Sequence, residues 1–419
     1  MTNRKMKDSG VEWIGDIPIH WKLVSVKHLF IIGRGRVIAK TELDDNGDYP
    51  VYSSQTKNNG VLGFIDTYDY DVSQLTWTTD GANAGTVFLR EGKYNCTNVC
   101  GTLLPKISNM SMKYMKYALE YIAIFHKRAD TNGFKIMNNE MAVIKILLPL
   151  ENEQKKIAAF LDEKVSHVDS IIEDTKKSIE NLKAYKQSLI TETVTKGLSP
   201  DVETKDSGVE WFGRIPSHWK VSKVGNVFEV ILGKMLSTFP KESNWTEERY
   251  LSAINVHFEG VETFNLKKMW FSPVEKEKLE VKFGDLLVVE GGAGAGGSAL
   301  YLSEEKGIYV QNSINIVRPK ANLSNTSFAY YIFYCLVKNG YVDYVSNKAT
   351  IPHFTKEKVQ SVPYPIIPLN EQQVIVEFLD ERIKQVDSLI DQKEQLVIEL
   401  ESYKKSLIYE YVTGKKEVK

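Results

Sequence analysis

Residues 7–22 read KDSGVEWIGDIPIHWK, and residues 205–220 read KDSGVEWFGRIPSHWK. Thirteen of the sixteen positions are identical at an offset of 198 residues, which makes the chain a tandem duplication. A second pair begins PLENEQ at Pro149 and PLNEQ at Pro368. It continues FLDEKVSHVDSII from Phe160 and FLDERIKQVDSLI from Phe378, at an offset of 218. It closes with YKQSLITETVTKG from Tyr185 and YKKSLIYEYVTGK from Tyr403. Each half therefore runs signature, long variable region, helix. Between these blocks the halves share Phe30 and Phe228, a glycine loop and little more. Two near-identical frames carrying two different inserts are expected where frames make common contacts and inserts discriminate.

From Ile157 to about Thr195 the apolar residues follow a heptad. Leu161, Val168, Thr175, Leu182 and Leu189 take one seam position, and Val165, Ile172 and Ile179 the other. The second copy supplies Leu379, Val386, Lys393, Leu400 and Leu407 with Ile383, Ile390 and Val397. A spacing of about 3.5 residues over four or more heptads predicts a coiled-coil seam. Neither segment has an internal Pro or Gly, and Gly197 and Gly414 stand where a C-terminal stop belongs. About 40 residues at ~1.5 Å each make a rod of roughly 60 Å. Two rods in one chain, with a whole domain between them, most simply pair antiparallel; two separate amphipathic helices, each packed on its own domain, are the alternative. Thr175 and Lys393 interrupt the seam at equivalent positions, a pattern that can fix register. The inserts read as α/β or α+β. Strands are expected at Asp285–Val289 and Ile314–Val317, and helices at Met112–Phe125 and Thr326–Val337.

The 419 residues allow two to four domains with real cores. Hydrophobic residues at 42% and charged ones at 26% exclude wholesale disorder. Three cysteines cannot build a disulfide scaffold; Cys96 and Cys100 form a C-x3-C pair without a second ligand pair nearby, so buried thiols are the expected reading and no metal site is predicted. Met1 to Gly10 lacks an apolar signal core, and no run reaches the ~18 apolar residues of a membrane span, so a cytoplasmic protein without membrane contact is expected.

Catalytic motifs are missing. Gly291–Ser298 is glycine-rich, but no Lys precedes a Ser or Thr as a Walker A loop requires. Gly33-Arg-Gly35 is too short for a dinucleotide fingerprint. Pro200-Asp201-Val-Glu203-Thr-Lys205 resembles a PD…(D/E)xK nuclease core, but a single residue separates its carboxylates, which cannot come from different strands. Val362-Pro-Tyr364 lacks the Asn or Asp of an adenine methyltransferase loop. The seven His are scattered, and no nucleophile elbow is present. The chain reads as non-catalytic.

The net charge of -1 seems to argue against nucleic acid, but it is not uniform. Residues 18–147 and 216–366 carry +3 and +2, whereas 148–199 and 367–413 carry -1 and -5. Phosphate binding needs local Lys and Arg rather than a basic whole chain. Candidate base readers cluster in loops. Arg34 and Arg36 suit guanine, while Gln55, Thr56, Lys57 and Asn58 form a polar run with the adenine-reading side chains. The loop Thr78–Gly85, with Thr79, Asp80 and Asn83, aligns with Val289–Gly296, and such glycine turns allow close backbone approach. Asn132 and Lys135 precede the closing strand of the first half, and Thr350 and His353 that of the second. Lys234, Asn255 and Asn312 complete the second set of DNA-binding candidates. Singly, each also fits an ordinary solvated loop.

The duplicated VEWIG…IPxHW signature, the P-L-x-x-E-Q…FLD helix start and the glycine loop resemble the specificity (S) subunit of type I restriction–modification systems, over nearly the whole chain. The resemblance implies a first target recognition domain at residues 1–147, a spacer helix at 148–199, a hinge and second recognition domain at 200–366, and a C-terminal spacer helix at 367–419. It further implies that each domain reads one half of a bipartite double-stranded DNA site. The helices would pair antiparallel, set the half-site spacing and bind two methyltransferase (modification) subunits, which restriction/translocase subunits join. S-adenosylmethionine is expected in the methyltransferase subunits and no cofactor in this chain. Two unlike inserts imply an asymmetric target. The readings weighed against this one are a fused restriction–modification or nuclease polypeptide, which should show a catalytic motif, and a coiled-coil scaffold, which leaves the polar-looped inserts unexplained.

Overall fold

Pro149 and Pro368 end a strand in each half, and a helix of more than forty residues starts just beyond. In the computed structural model, which describes residues 4–131, 133–292, 294–320, 323–346 and 353–418, the first long helix spans Glu151–Lys196 and the second Leu369–Val412. Glu151 and Glu153 occupy the first turn of one and Glu371 that of the other, where the helix dipole favours acids. Gly197 stops the first helix in the left-handed region (φ +70°), its N–H donating to the Thr193 carbonyl at 3.0 Å. The chain divides into two units: residues 1–176 with 394–419, and residues 177–393. The division runs through both long helices, so each unit owns one part of each helix.

In unit 1 a hairpin, Met6–Asp8 with Asp16–Pro18, leads into strand Lys22–Ser25, which pairs antiparallel with the closing strand Lys145–Leu148. Between them lies an antiparallel sheet in the order Val87–Arg90, Gln74–Thr78, Cys100–Pro105, Phe30–Arg34. A second sheet runs Val61–Ile65, Tyr49–Tyr52, Lys93–Cys96, Tyr70–Asp71, with one parallel pair that sets Asn95 against Val51. Helix Met112–Ala123, capped by the Ser111 side chain, buries Tyr114, Met115, Ala118, Leu119 and Ile122 in the core. Unit 2 repeats the plan. Its first sheet runs Phe228–Leu232, Ile314–Pro319, Leu286–Val289, Ser298–Leu300, and its second Lys267–Phe271, Thr246–Leu251, Ile308–Val310, again with one parallel pair, Tyr250 against Tyr309. Helix Thr326–Lys338 is capped by Asn325. The fold is thus two tandem α+β domains with two long helices, the expected class.

The duplicated blocks touch each other. In unit 1 the Trp21 indole N–H donates to Glu153 at 3.0 Å, and His20 and Arg4 approach the same carboxylate. In unit 2 Trp219 donates to Glu371 at 2.9 Å, with His218 at 3.0 Å. Burial works to raise the Glu153 carboxyl, but hydrogen bonds from His20, Arg4 and Trp21 outweigh it and hold the group below the usual glutamate range. The neighbouring glutamine is the second fastener. Gln154 bonds the Pro149 carbonyl and accepts from the Ser111 N–H, both at 2.9 Å; Gln372 bonds the Ile367 carbonyl and accepts from the Asn325 N–H. The H-W of the signature and the E-Q of the helix start are therefore identical in the two copies for an internal reason: they clamp domain to helix.

The heptad expectation holds in each unit. Leu161, Val165, Val168, Ile172 and Ile179 are buried, with Leu182 and Leu189 half-buried; Leu379, Val386, Ile390, Val397 and Leu407 are buried, with Ile383 and Leu400 half-buried. In unit 1 Lys404 meets Asp169 at 2.6 Å and Lys176 meets Glu401 at 3.3 Å, so the helices run antiparallel. In unit 2 Lys186 meets Asp387 at 2.7 Å. Such exposed pairs report direction rather than stability. Thr175 corrects the register idea in part: its hydroxyl donates to the Ile171 carbonyl at 2.7 Å, within its own helix. The helix ends leave the heptad. Ile157 and Ala158 join the core of unit 1 with Leu407, Ile408 and Val412, and Ile190 and Val194 join that of unit 2 with Ile375, Val376 and Leu379. The helices therefore pair with each other, as the periodicity predicts, and their ends also pack on the domains. None of the helices, over the described residues, is long and apolar enough to cross a membrane.

Candidate nucleic-acid interface

Strand Phe30–Arg34 continues past its sheet, where the Gly35 N–H donates to the Cys100 carbonyl (3.0 Å) and the Arg36 N–H to the Cys96 carbonyl (3.1 Å). Gly35 is required here, because a Cβ would lie 2.2 Å from the Cys96 carbonyl oxygen. Gly233 repeats this in the second domain, with 2.3 Å to the Gln311 carbonyl oxygen, and the Lys234 N–H donates to the Val310 carbonyl at 3.0 Å. Arg36 and Lys234 are thus equivalent residues. Each lies beside a tight turn, Thr97-Asn98-Val99 or Gln311-Asn312-Ser313.

Those turns gather the remaining loops by the same hydrogen bonds in both domains. Thr97 N–H donates to the Tyr52 carbonyl and Gln311 N–H to the Leu251 carbonyl, each at 2.9 Å. This brings in the polar run from Gln55 in one domain and the Ser252–Asn255 turn in the other. Val99 accepts from the Thr79 N–H (3.0 Å), as Ser313 does from the Glu290 N–H (2.8 Å), which places the glycine loops. Those loops match in detail: Gly81 and Gly292 have φ of +88° and +89°, and the Gly85 and Gly296 N–H groups return to Thr78 and Val289 at 2.9 Å. The Thr79 and Glu290 carbonyls then accept from Ile136 and Phe354, so Lys135 and His353 stand at corresponding positions. Five segments scattered through each insert meet along one edge, formed by the ends of the sheet strands.

Within this edge the candidates differ in availability. Thr56, Lys57, Asn58 and Asn83 are exposed, as is His353, while Asp80 and Asn312 are half-buried. Arg34 is exposed and donates to the Asn98 carbonyl. Arg36 is paired with Glu42 at 2.9 Å and Asp69 at 3.1 Å, and its hydrogen bond with Glu42 leads the causes that hold its pKa above the ordinary value. Lys135 pairs with Asp130 at 2.5 Å. Gln55 is half-buried and donates to the Val61 carbonyl. Three further candidates are engaged within the fold. Thr79 is wholly buried, its hydroxyl donating to the Val99 carbonyl at 3.1 Å. The Lys234 side chain is only 10% exposed, held by Glu275 at 2.6 Å and lying 3.7 Å from the Trp245 ring centre. Asn255 spends its side-chain oxygen on the Ser252 N–H and hydroxyl, both at 3.0 Å. Asn132 and Thr350 lie outside the described residues. Among the described residues, Arg34 and Lys57 are the candidate cations of the first domain without a carboxylate partner.

Residues that sequence reasoning missed also lie here. Asn98 sits exposed at its turn, equivalent to Asn312; aligning TNV at 97–99 with QNS at 311–313 was the available signal. Val37 and Met235, 72% and 75% exposed, follow the two paired cations in both copies. Cys96 and Cys100 are buried, as expected for strand-lining thiols, and no group of three His, Cys, Asp or Glu able to hold a metal occurs among the described residues.

Comparison with known proteins agrees with this geometry. The model of the type I restriction modification DNA specificity domain matches residues 18–181 and again 216–401. The type I specificity subunit S.MpnORF289P N-terminus of Mycoplasma pneumoniae is 41% identical over 142 residues, covering 34% of this chain and 76% of that relative. The type I restriction enzyme MjaX specificity subunit of Methanocaldococcus jannaschii is 26% identical across 97% of this chain and 96% of its own length. A solved chain from work on complex assembly and conformational transition of the type I R-M system has the same fold, with a TM-score of 0.69 at 16% identity, covering 96% of this chain and 99% of that one. With the family model matching most of both halves, the chain belongs to the type I restriction–modification specificity-subunit family.

Proposed function

We propose that each recognition domain reads one half of an asymmetric, two-part double-stranded DNA site, and that the long helices set the separation of the halves. One observation carries this reading: the same five-segment edge is built twice with the same backbone hydrogen bonds but different side chains. Arg36 stands against Lys234, the Gln55–Asn59 run against Ser252–Asn255, and Lys135 against His353. Equal scaffolds with unequal reading groups suit two unlike half-sites. The internal pairing of Arg36, Lys135 and Lys234 leaves Arg34 and Lys57, among the described residues, as the first domain's candidate cations for phosphate contact.

On this reading the chain catalyses nothing. Two methyltransferase subunits dock on the long helices and bring S-adenosylmethionine, restriction/translocase subunits complete the complex, and the assembly works on cytoplasmic DNA. The acidic balance of residues 367–413 suits a protein partner better than DNA. The purified chain mixed with S-adenosylmethionine and DNA is expected to transfer no methyl groups, and to direct transfer once the modification subunits are added. Methylation by the chain alone would overturn the assignment.

A further inference from the structure

Arg90 ends strand Val87–Arg90 and is 2% exposed, yet no carboxylate pairs with it among the described residues. Its Nε donates to the Thr76 hydroxyl at 3.3 Å and its Nη1 to the Asn59 carbonyl at 2.8 Å. The guanidinium carbon lies 3.6 Å from the Tyr52 ring centre and 4.2 Å from that of Phe88. Burying a guanidinium without a counter-charge is costly, and proteins rarely do so without a use for it. The fold itself does not need the charge. In the second domain Tyr301 takes the same place, its N–H donating to Asp285 and its hydroxyl to the Glu305 carbonyl at 2.8 Å.

The charge is wrapped by the polar turn of the first domain. Asn58 and Asn59 are both left-handed (φ +49° and +52°), a conformation uncommon outside glycine that asparagine tolerates best and that here occurs at two successive positions. Gly60 (φ +81°) comes so near that a Cβ would stand 2.9 Å from Arg90 Nη2 and 3.1 Å from the Gln55 carbonyl oxygen. The guanidinium thus fills the inside of the turn, while Thr56, Lys57, Asn58 and Asn59 face solvent. The second domain shapes its corresponding turn differently, with the Asn255 side chain.

We propose that Arg90 is a positioning residue for base reading by the first recognition domain: its buried guanidinium fixes the Gln55–Gly60 turn so that the exposed Thr56–Asn59 face presents one arrangement to DNA. This rests on the half-site reading above. A lysine cannot substitute, because a point charge cannot stack on two rings while bonding Thr76 and Asn59 in fixed directions.

The test maps methylated sites for the complex of the full chain with its modification subunits, as wild type, Arg90→Lys and Arg90→Tyr. Both variants are expected to loosen base discrimination about tenfold at one or two positions of one half-site and to leave the other half-site unchanged. A wild-type map without two half-sites would overturn the underlying reading and this inference together. A two-part map unchanged in both variants, or degraded equally in both halves, would overturn the Arg90 role alone. Amide exchange on the purified chain provides a second measurement. In Arg90→Lys the Ser53 and Val61 amides, which bond the Gly60 and Asn58 carbonyls, should exchange about tenfold faster while Trp77 in the core strand does not change. Unaltered exchange at Ser53 and Val61 would also overturn the role.

Discussion

Trp21→Ala is expected to cost about 3–5 kcal/mol of stability, the range for truncating a buried aromatic. Trp21 is fully buried, and it does two jobs at once. Its ring packs in the same core as Ile17, Ile157 and Leu161, and its indole N–H holds the Glu153 carboxylate at the start of the first long helix. A tryptophan buries roughly 200 Å² of surface, which at ~25 cal/mol per Å² corresponds to an upper bound near 5 kcal/mol. Trp21→Phe keeps most of that burial and should cost about 1–2 kcal/mol, since Glu153 retains His20 and Arg4. Trp219 occupies the corresponding place against Glu371, so Trp219→Ala should show a loss of the same size. Thermal unfolding of the four proteins gives the answer. An effect below ~1 kcal/mol for either alanine variant would mean that the signature is not the clamp described above.

The second large effect concerns the long helices. Removing one heptad from each, Val168–Asp174 from the first and Leu400–Ser406 from the second, preserves the phase of the seam while shortening it by seven residues. Seven residues at ~1.5 Å are about 10 Å, which corresponds to roughly three base pairs at ~3.4 Å each. The unspecified spacer between half-sites should shorten by about that number, with the bases of each half-site unchanged. Both deleted segments belong to unit 1; Asp169 and Lys404 leave together, and the exposed Lys176 loses Glu401. Methylation mapping with an unchanged spacer would remove the helices from the role of ruler.

The frame of this protein was legible in its residues because repetition and periodicity report contacts directly. Leu161 and Leu379 recur at 218 residues because both are fully buried where a long helix meets its domain, and the heptad registers that burial without any knowledge of the inserts. The helix ends were less legible. Ile190 and Val194 lie outside the heptad because they face a domain core rather than the partner helix, and a seam pattern cannot announce a change of neighbour. The same limit governs the candidate DNA-facing edge. That Arg34, Asn58 and Asn83 lie in polar loops follows from composition, but which loops share an edge is decided by hydrogen bonds such as Thr97 to Tyr52 and Thr79 to Val99, between residues 45 and 20 positions apart. Charge was the least transparent quantity. Lys234 counts as a cation in any tally, yet Glu275 and Trp245 absorb it, a pairing that no local pattern shows.

A modular specificity subunit should read one half-site with one insert. Exchanging residues 18–147 for the corresponding insert of another specificity subunit, and mapping methylated bases with the modification subunits present, tests it most directly. A new sequence is expected in one half-site, with the other half-site and the spacer retained. A change in both half-sites, or in neither, would contradict it.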